Sequence, residues 1–232
     1  MHGLFVTGTS TGVGKTLVAA ALACTLKKQK IDVGVMKPFA TSNRAFSRKY
    51  RSRDTAILAR ASQASDPDTE LNPFFYSVAA SPLVASEIKN QPPVNIEIAL
   101  QCLLSLARKH DFIIAEGIGG LMVPLTENES VAEFAKRAKL PIIVVATMRI
   151  GTINHTLLTV MACKAFGLKV KGIILNKVPK RPNAARRKTI EVIERLTGIP
   201  VLAVVPFLKT RNYADISKIF EKDLDIQNLL SM

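Results

Sequence analysis

Six short apolar runs recur along the chain without the polar alternation of a half-exposed strand: Leu4 to Val6, Val33 to Met36, Phe112 to Ala115, Ile142 to Ala146, Ile173 to Leu175 and Val201 to Val205. A strand apolar at successive positions is covered on both faces, as in a parallel sheet between helical layers. The pattern predicts strands over Leu4 to Thr7, Asp32 to Lys37, Phe112 to Glu116, Ile142 to Ala146, Val170 to Asn176 and Val201 to Val205. Between them, apolar positions at helical spacing predict helices over about 15–30, 54–64, 81–89, 95–109, 130–139, 153–167 and 183–196. The alternation predicts an α/β fold, a mainly parallel sheet flanked by helices on both faces. No internal repeat interrupts it, and Asn90-Gln91-Pro92-Pro93 is too short a linker to force a boundary, so one domain is expected over 1–232.

Between the first strand and the first helix stands Gly8-Thr9-Ser10-Thr11-Gly12-Val13-Gly14-Lys15-Thr16. Small residues at a strand-to-helix turn let successive N–H groups face one cavity, and the helix N-terminus adds positive potential. The Gly-Lys-Thr ending supplies an ammonium for terminal phosphates and a hydroxyl for Mg²⁺, which makes this a P-loop. Its spacing departs from the common form, since five residues separate Gly8 from Gly14 and Thr9 stands where a glycine is usual.

Ligands of open parallel sheets gather beyond the carboxyl ends of the strands. Two charged residues end strands there: Lys37 before Pro38, and Glu116 before Gly117-Ile118-Gly119-Gly120. Lys37 is suited to neutralising phosphate or carbamate oxygens, while Glu116 and Asp54 can join Thr16 around Mg²⁺. Asn176 ends another predicted strand with an amide able to meet a base edge, near the turn at Val205, Pro206, Phe207 and Leu208. His155 is a lone histidine at a predicted helix start and is assigned no role as a base.

Composition changes the picture in two places. The chain has 232 residues, 48% of them hydrophobic, yet its apolar runs are shorter than a membrane span and no secretion signal is evident, so a cytoplasmic protein is expected. The formal charge is +14. Much of it lies in Arg44, Arg48, Lys49, Arg51 and Arg53, and in Lys177, Lys180, Arg181, Arg186, Arg187 and Lys188. Without a nucleic-acid module, both clusters read as solvated or substrate-attracting loops, with polyanion binding as the alternative. Cys24, Cys102 and Cys163 lie far apart with no C-x-x-C pair and read as small core residues.

The chain resembles the dethiobiotin synthetases. The resemblance runs in order through Gly8 to Thr16, Lys37-Pro38, Asp54, Ser81-Pro82, Glu116 to Leu125 with its Gly-Ile-Gly-Gly and Val-Pro-Leu, Gly151-Thr152-Ile153-Asn154-His155, and Asn176. Ser10, Ser42 and Leu83 stand where that family commonly has Asp, Gly and His. The resemblance implies ATP-dependent ring closure of 7,8-diaminopelargonic acid with CO₂ to dethiobiotin, ADP and phosphate, through a carbamate and a carbamic-phosphoric anhydride. It implies catalytic roles for Lys15, Lys37 and Thr11. Nucleotide contacts fall to Gly12, Val13, Gly14, Lys15, Thr16, Asn176, Pro206, Phe207 and Leu208, and Mg²⁺ contacts to Thr16, Asp54 and Glu116. Thr41 and Gly151, Thr152, Ile153 and Asn154 are implied to bind substrate, the last four across a homodimer interface. A chromosome-partitioning or positioning ATPase acting on DNA or membrane is the alternative; such proteins usually carry a second lysine in the loop, where Ser10 stands here.

Overall fold

The computed structural model describes residues 1–179, 181, 184–210 and 212–230. Lys180, grouped above with the second basic cluster, and position 183, the expected start of a helix, lie outside them. In chain order the elements are β1 (Gly3–Gly8), α1 (Lys15–Lys28), β2 (Val33–Met36), β3 (Phe39–Thr41), α2 (Arg53–Ser62), α3 (Asp68–Leu71), β4 (Phe74–Tyr76), α4 (Pro82–Lys89) and α5 (Ile96–Lys109). They continue with β5 (Phe112–Glu116), α6 (Val131–Ala138), β6 (Ile142–Thr147), α7 (Thr152–Ala165), β7 (Val170–Val178), α8 (Ala184–Thr197), β8 (Val201–Pro206), α9 (Tyr213–Asp223) and α10 (Ile226–Leu230).

Six strands form one sheet in the order β2-β5-β1-β6-β7-β8, every pair parallel. From β1 the chain crosses through α1 toward the β2 edge, whereas crossovers through α6, α7 and α8 run toward the β8 edge. Parallel crossovers are right-handed, so these two groups of helices cover opposite faces. On one side α1 packs against α2 and α9; on the other α7 packs against α8. The uniformly apolar strands follow from this burial, with β1, β2 and β5 inaccessible along their whole length. Phe134 packs its ring edge-on against Phe39, with centroids 5.1 Å apart, and lies 5.9 Å from Phe5 beneath the phosphate-loop strand.

All seven expected helices and six expected strands are present, with shifted ends. The first helix stops at Lys28 rather than 30, and Lys30 has φ 64°; the second stops at Ser62, where Gln63 with φ 58° turns the chain left-handed. The strand expected over Val170 to Asn176 is longer than expected: β7 runs on to Val178, two residues beyond Asn176. The pattern missed β3 and β4, a separate two-stranded parallel sheet of three residues per strand, too short to show a period. It also missed α9, whose buried Ile216, Ser217 and Phe220 include a serine where an apolar residue would have marked the inner face. That serine is matched to Thr25 of α1 by a 3.1 Å hydroxyl hydrogen bond between the two helices. Cys163 is buried as expected, but Cys24 and Cys102 are only partly so.

Candidate active site

Polar and charged groups gather over the carboxyl edge of β2, β5, β1 and β7, around a cavity of about 860 Å³. The phosphate loop enters it from β1. Gly12 and Gly14 take positive φ values of 76° and 99°, a backbone shape that residues with a Cβ seldom adopt. An added Cβ on Gly14 would lie 2.1 Å from Asn176 Nδ2, so a neighbour as well as φ requires glycine there. Lys15, first residue of α1, is buried and turns back across the loop, its Nζ donating to the carbonyls of Gly119 at 2.6 Å and Ser10 at 3.1 Å. Burial, and then the charge of Lys37, lowers its pKa from 10.5 to about 8, against the pull of Glu116 and Asp54.

Lys37 stands just beyond β2 in a different setting. Its Nζ donates to Glu116 Oε1 at 2.6 Å and to the Gly117 carbonyl at 2.9 Å, and lies 3.2 Å from Asp54 Oδ2. Burial alone would lower its pKa, but the Glu116 and Asp54 carboxylates outweigh it and hold the ammonium above its ordinary value. Glu116 Oε1 also accepts from Thr16 Oγ1 at 2.8 Å, which ties the P-loop helix to β5. Its other carboxylate oxygen, Oε2, is buried and has no hydrogen-bond partner among the described residues. Asp54 sits in the first turn of α2, oriented by Ser52, whose hydroxyl accepts from the N–H groups of Asp54 and Thr55. Lys37 holds the Asp54 carboxyl below its usual range although burial acts to raise it.

A second set of contacts fixes Lys37 from behind, and no sequence motif announced it. The Lys37 N–H donates to the Leu71 carbonyl at 2.7 Å, and buried Asn72 Nδ2 donates to the Lys37 carbonyl at 2.7 Å. Arg51 braces this turn through Asp68 at 2.7 Å and through the Asn72 carbonyl. Arg51 is therefore a structural member of the first basic cluster, not a solvated one. The signal was available only as the pairing of a basic and an acidic segment.

Thr11, Gly12, Gly14, Lys15, Thr16, Thr41, Asp54, Glu116, Asn176, Pro206, Phe207 and Leu208 all line the cavity with Lys37. Val13 does not: its side chain is buried, and its carbonyl accepts from Asn176 Nδ2 at 2.9 Å. Asn176 Oδ1 accepts from the Lys177 N–H at 2.8 Å, so the amide reaches the cavity with one hydrogen and one lone pair remaining. Gly151, Thr152, Ile153 and Asn154 lie outside the cavity at the start of α7, beyond a cleft of about 190 Å³ bordered by Thr11, Arg149 and Lys177. Arg53, counted among the basic cluster, lines the large cavity and has no acidic partner among the described residues. The arrangement offers two ammonium groups, a loop of backbone donors and oxygen ligands at one strand edge, suited to holding and transferring a phosphoryl group.

A family model described as an AAA domain matches residues 2–213. Among curated proteins, the chain is 37% identical to the ATP-dependent dethiobiotin synthetase BioD of Nitrosopumilus maritimus, over 99% of this chain and 100% of that one. It is 40% identical to the protein of the same name from Bacillus subtilis strain 168, over 90% and 88% of the two chains. Solved structures similar in fold include a ParA family ATPase from Chlorobium tepidum, with TM-score 0.56 and 18% identity, covering 97% of this chain and 98% of that one. The Pyrococcus furiosus cell division ATPase MinD gives TM-score 0.55 and 17% identity, covering 100% and 97%. At those identities the likeness is one of fold.

Proposed function

The chain belongs to the ATP-dependent dethiobiotin synthetase family, and from that premise we propose that it closes the ureido ring of 7,8-diaminopelargonic acid with CO₂ and ATP. One amine of the substrate takes up CO₂ as a carbamate and releases a proton. A carbamate oxygen attacks the γ-phosphorus and ADP leaves, giving a carbamic-phosphoric anhydride. The second amine then attacks the carbonyl carbon and gives up a proton, and phosphate leaves with the oxygen that linked it to carbon.

The observation that carries this reading is the convergence of Lys15, Lys37, Thr16 and Glu116 on one side of the cavity. None of these steps needs a covalent nucleophile from the protein; they need anions held, amines oriented and charge stabilised as the phosphoryl group moves. Lys15 holds the β- and γ-phosphates with the N–H groups of Gly12, Gly14 and Lys15, and Lys37 reaches the γ-phosphate and the carbamate together. Thr11 and Thr41 border the space left for the reacting amines. Asn176, Pro206, Phe207 and Leu208 border the space for adenine. Thr16, Asp54 and Glu116 suit a magnesium ion, which prefers hard oxygen ligands, and the buried unpartnered Oε2 of Glu116 is the feature that fits it. Bound there, the ion would offset negative charge on the phosphoryl oxygens.

Gly151 to Asn154 would hold the carboxylate tail of the diamine bound in the partner of a homodimer, at the free N–H groups of the α7 N-terminus. Exposed Ile150, with exposed Leu158 and Met161 three apart on α7, supports a partner on this face. Among the described residues no helix is long and apolar enough to cross a membrane, and the reaction is proposed to run in the cytoplasm. The test is to combine the protein with the diamine, bicarbonate, Mg²⁺ and ATP and to seek dethiobiotin by mass spectrometry. Stoichiometric dethiobiotin and ADP support the reading. DNA-stimulated ATP hydrolysis without that product would replace it with the switch ATPase.

A further inference from the structure

Lys177 belongs by sequence to a basic cluster expected to be a solvated or substrate-attracting loop, yet the fold gives it a specific partner. It follows Asn176 in β7 with φ 56°, in the left-handed region that non-glycine residues rarely adopt. The register of β7 against β8 breaks around it, between Leu175 and Val178. In that irregular stretch two consecutive side chains reach two consecutive carbonyls of the phosphate loop. Asn176 Nδ2 donates to Val13 O at 2.9 Å, and Lys177 Nζ donates to Gly12 O at 2.6 Å. The Asn176 side chain also accepts from the Lys177 N–H, which fixes the two residues to each other.

Gly12 needs such a brace. It has φ 76°, and an added Cβ there would find nothing within 4 Å, so the crest of the loop has no packing on that side. An ammonium bound to the Gly12 carbonyl also polarises the peptide that carries the Val13 N–H, and coupled hydrogen bonds of this kind strengthen one another. Lys177 borders both the large cavity and the smaller cleft on the other flank of the loop.

We propose that Lys177 is a positioning residue, which holds the crest of the phosphate loop through the Gly12 carbonyl and so sets the affinity for the triphosphate of ATP. The proposal rests on the reading of the loop as the nucleotide site. It differs from a direct contact with ribose or base, because a braced loop matters equally to a ligand that has only phosphates.

The experiment is calorimetric titration of the intact protein and of Lys177→Met and Lys177→Arg with ATP and, separately, with inorganic tripolyphosphate, both with Mg²⁺. Loss of one charge-assisted hydrogen bond is expected to weaken both ligands about tenfold in Lys177→Met, with most of the affinity restored in Lys177→Arg. In turnover assays the loss should fall on KM for ATP and not on kcat. Equal affinities in the parent and Lys177→Met overturn the proposal, and so does weakening confined to ATP, which would assign Lys177 to the nucleoside. A parent protein that binds neither ligand would instead overturn the nucleotide-site reading itself. The Lys177 side chain lies at the surface, so the variants should unfold as cooperatively as the parent; if Lys177→Met does not, Lys177→Gln is put through the same titrations.

Discussion

At the carboxyl ends of β2, β5 and β1 stand Lys37, Glu116 and the phosphate loop with Lys15, three charged side chains that are all buried. At the ends of β6, β7 and β8 stand the Gly151 turn, Asn176 with Lys177, and the turn from Pro206 to Leu208, where the buried groups are neutral and Phe207 is exposed. The first half concentrates charge under low solvent access, where a charged contact on a transferring phosphoryl group is worth most. The second half offers amide and backbone groups, suited to recognising a ligand and poor at stabilising its reaction. On the proposed reaction, one sheet would separate chemistry from recognition along its edge. Damage to the first half should fall on turnover, and damage to the second on binding.

The largest effect expected is on the charged side. Lys15→Ala and Lys37→Ala should each lower the rate of dethiobiotin formation at saturating substrates by at least about 10²-fold, since on the proposed reaction each removes a charge contact to the transferring group. Near-normal turnover in Lys37→Ala would break the division between the two halves.

A pH profile separates the two lysines within that half. Lys15 has a pKa of about 8 in the free protein, below its ordinary 10.5, so it loses its proton as pH rises through about 8 and with it the attraction for phosphate. The value of kcat/KM for ATP reports the free protein and should fall above pH 8, approaching tenfold per pH unit. Because bound phosphates stabilise the ammonium, kcat should fall only at higher pH. Lys37, held above its ordinary value by Glu116 and Asp54, should add nothing in this range. A kcat/KM flat between pH 7 and 9.5 would contradict the assignment.

On the recognition side, Asn176→Ala should raise KM for ATP about tenfold and change kcat by much less, because it removes a neutral hydrogen bond to the loop and, on the proposed reading, one to the base. Steady-state kinetics with ATP and a second nucleoside triphosphate sharpen this: loss of base reading should also narrow the preference between them. A fall in kcat as large as that of Lys37→Ala would show that the halves are not separate.

The smallest effect on turnover belongs to the support behind Lys37. Arg51→Ala removes the ion pair with largely buried Asp68 and the hydrogen bond to the Asn72 carbonyl, and should cost about 1–3 kcal/mol in a denaturant unfolding curve, with little change in turnover.

The same contrast governs what could be read from the residues alone. The strands were legible because burial on both faces leaves unbroken apolar runs; Lys37 and Glu116 were legible because a charge that ends such a run is chemically conspicuous, and Lys15 because it closes the glycine-rich loop motif. The brace on Lys37 from Leu71 and Asn72 was not, since a main-chain hydrogen bond can come from any residue and Asn72 resembles any turn residue until the fold brings it near. Lys177 was hidden for a related reason. Its left-handed backbone and the irregular pairing of β7 with β8 turn it out of a basic cluster and onto Gly12, and neither property has a sequence signature. The three-residue strands, the short helices α3 and α10 and a helix with a serine on its inner face escaped the hydrophobic pattern altogether.

The most direct test of the central claim, that the charged half joins a carbamate oxygen to the γ-phosphorus, is to supply ¹⁸O-labelled bicarbonate in unlabelled water and analyse both products by mass spectrometry before the label exchanges. One labelled oxygen should appear in the released phosphate and one in the ureido carbonyl of dethiobiotin. Labelled dethiobiotin accompanied by phosphate free of label would contradict it.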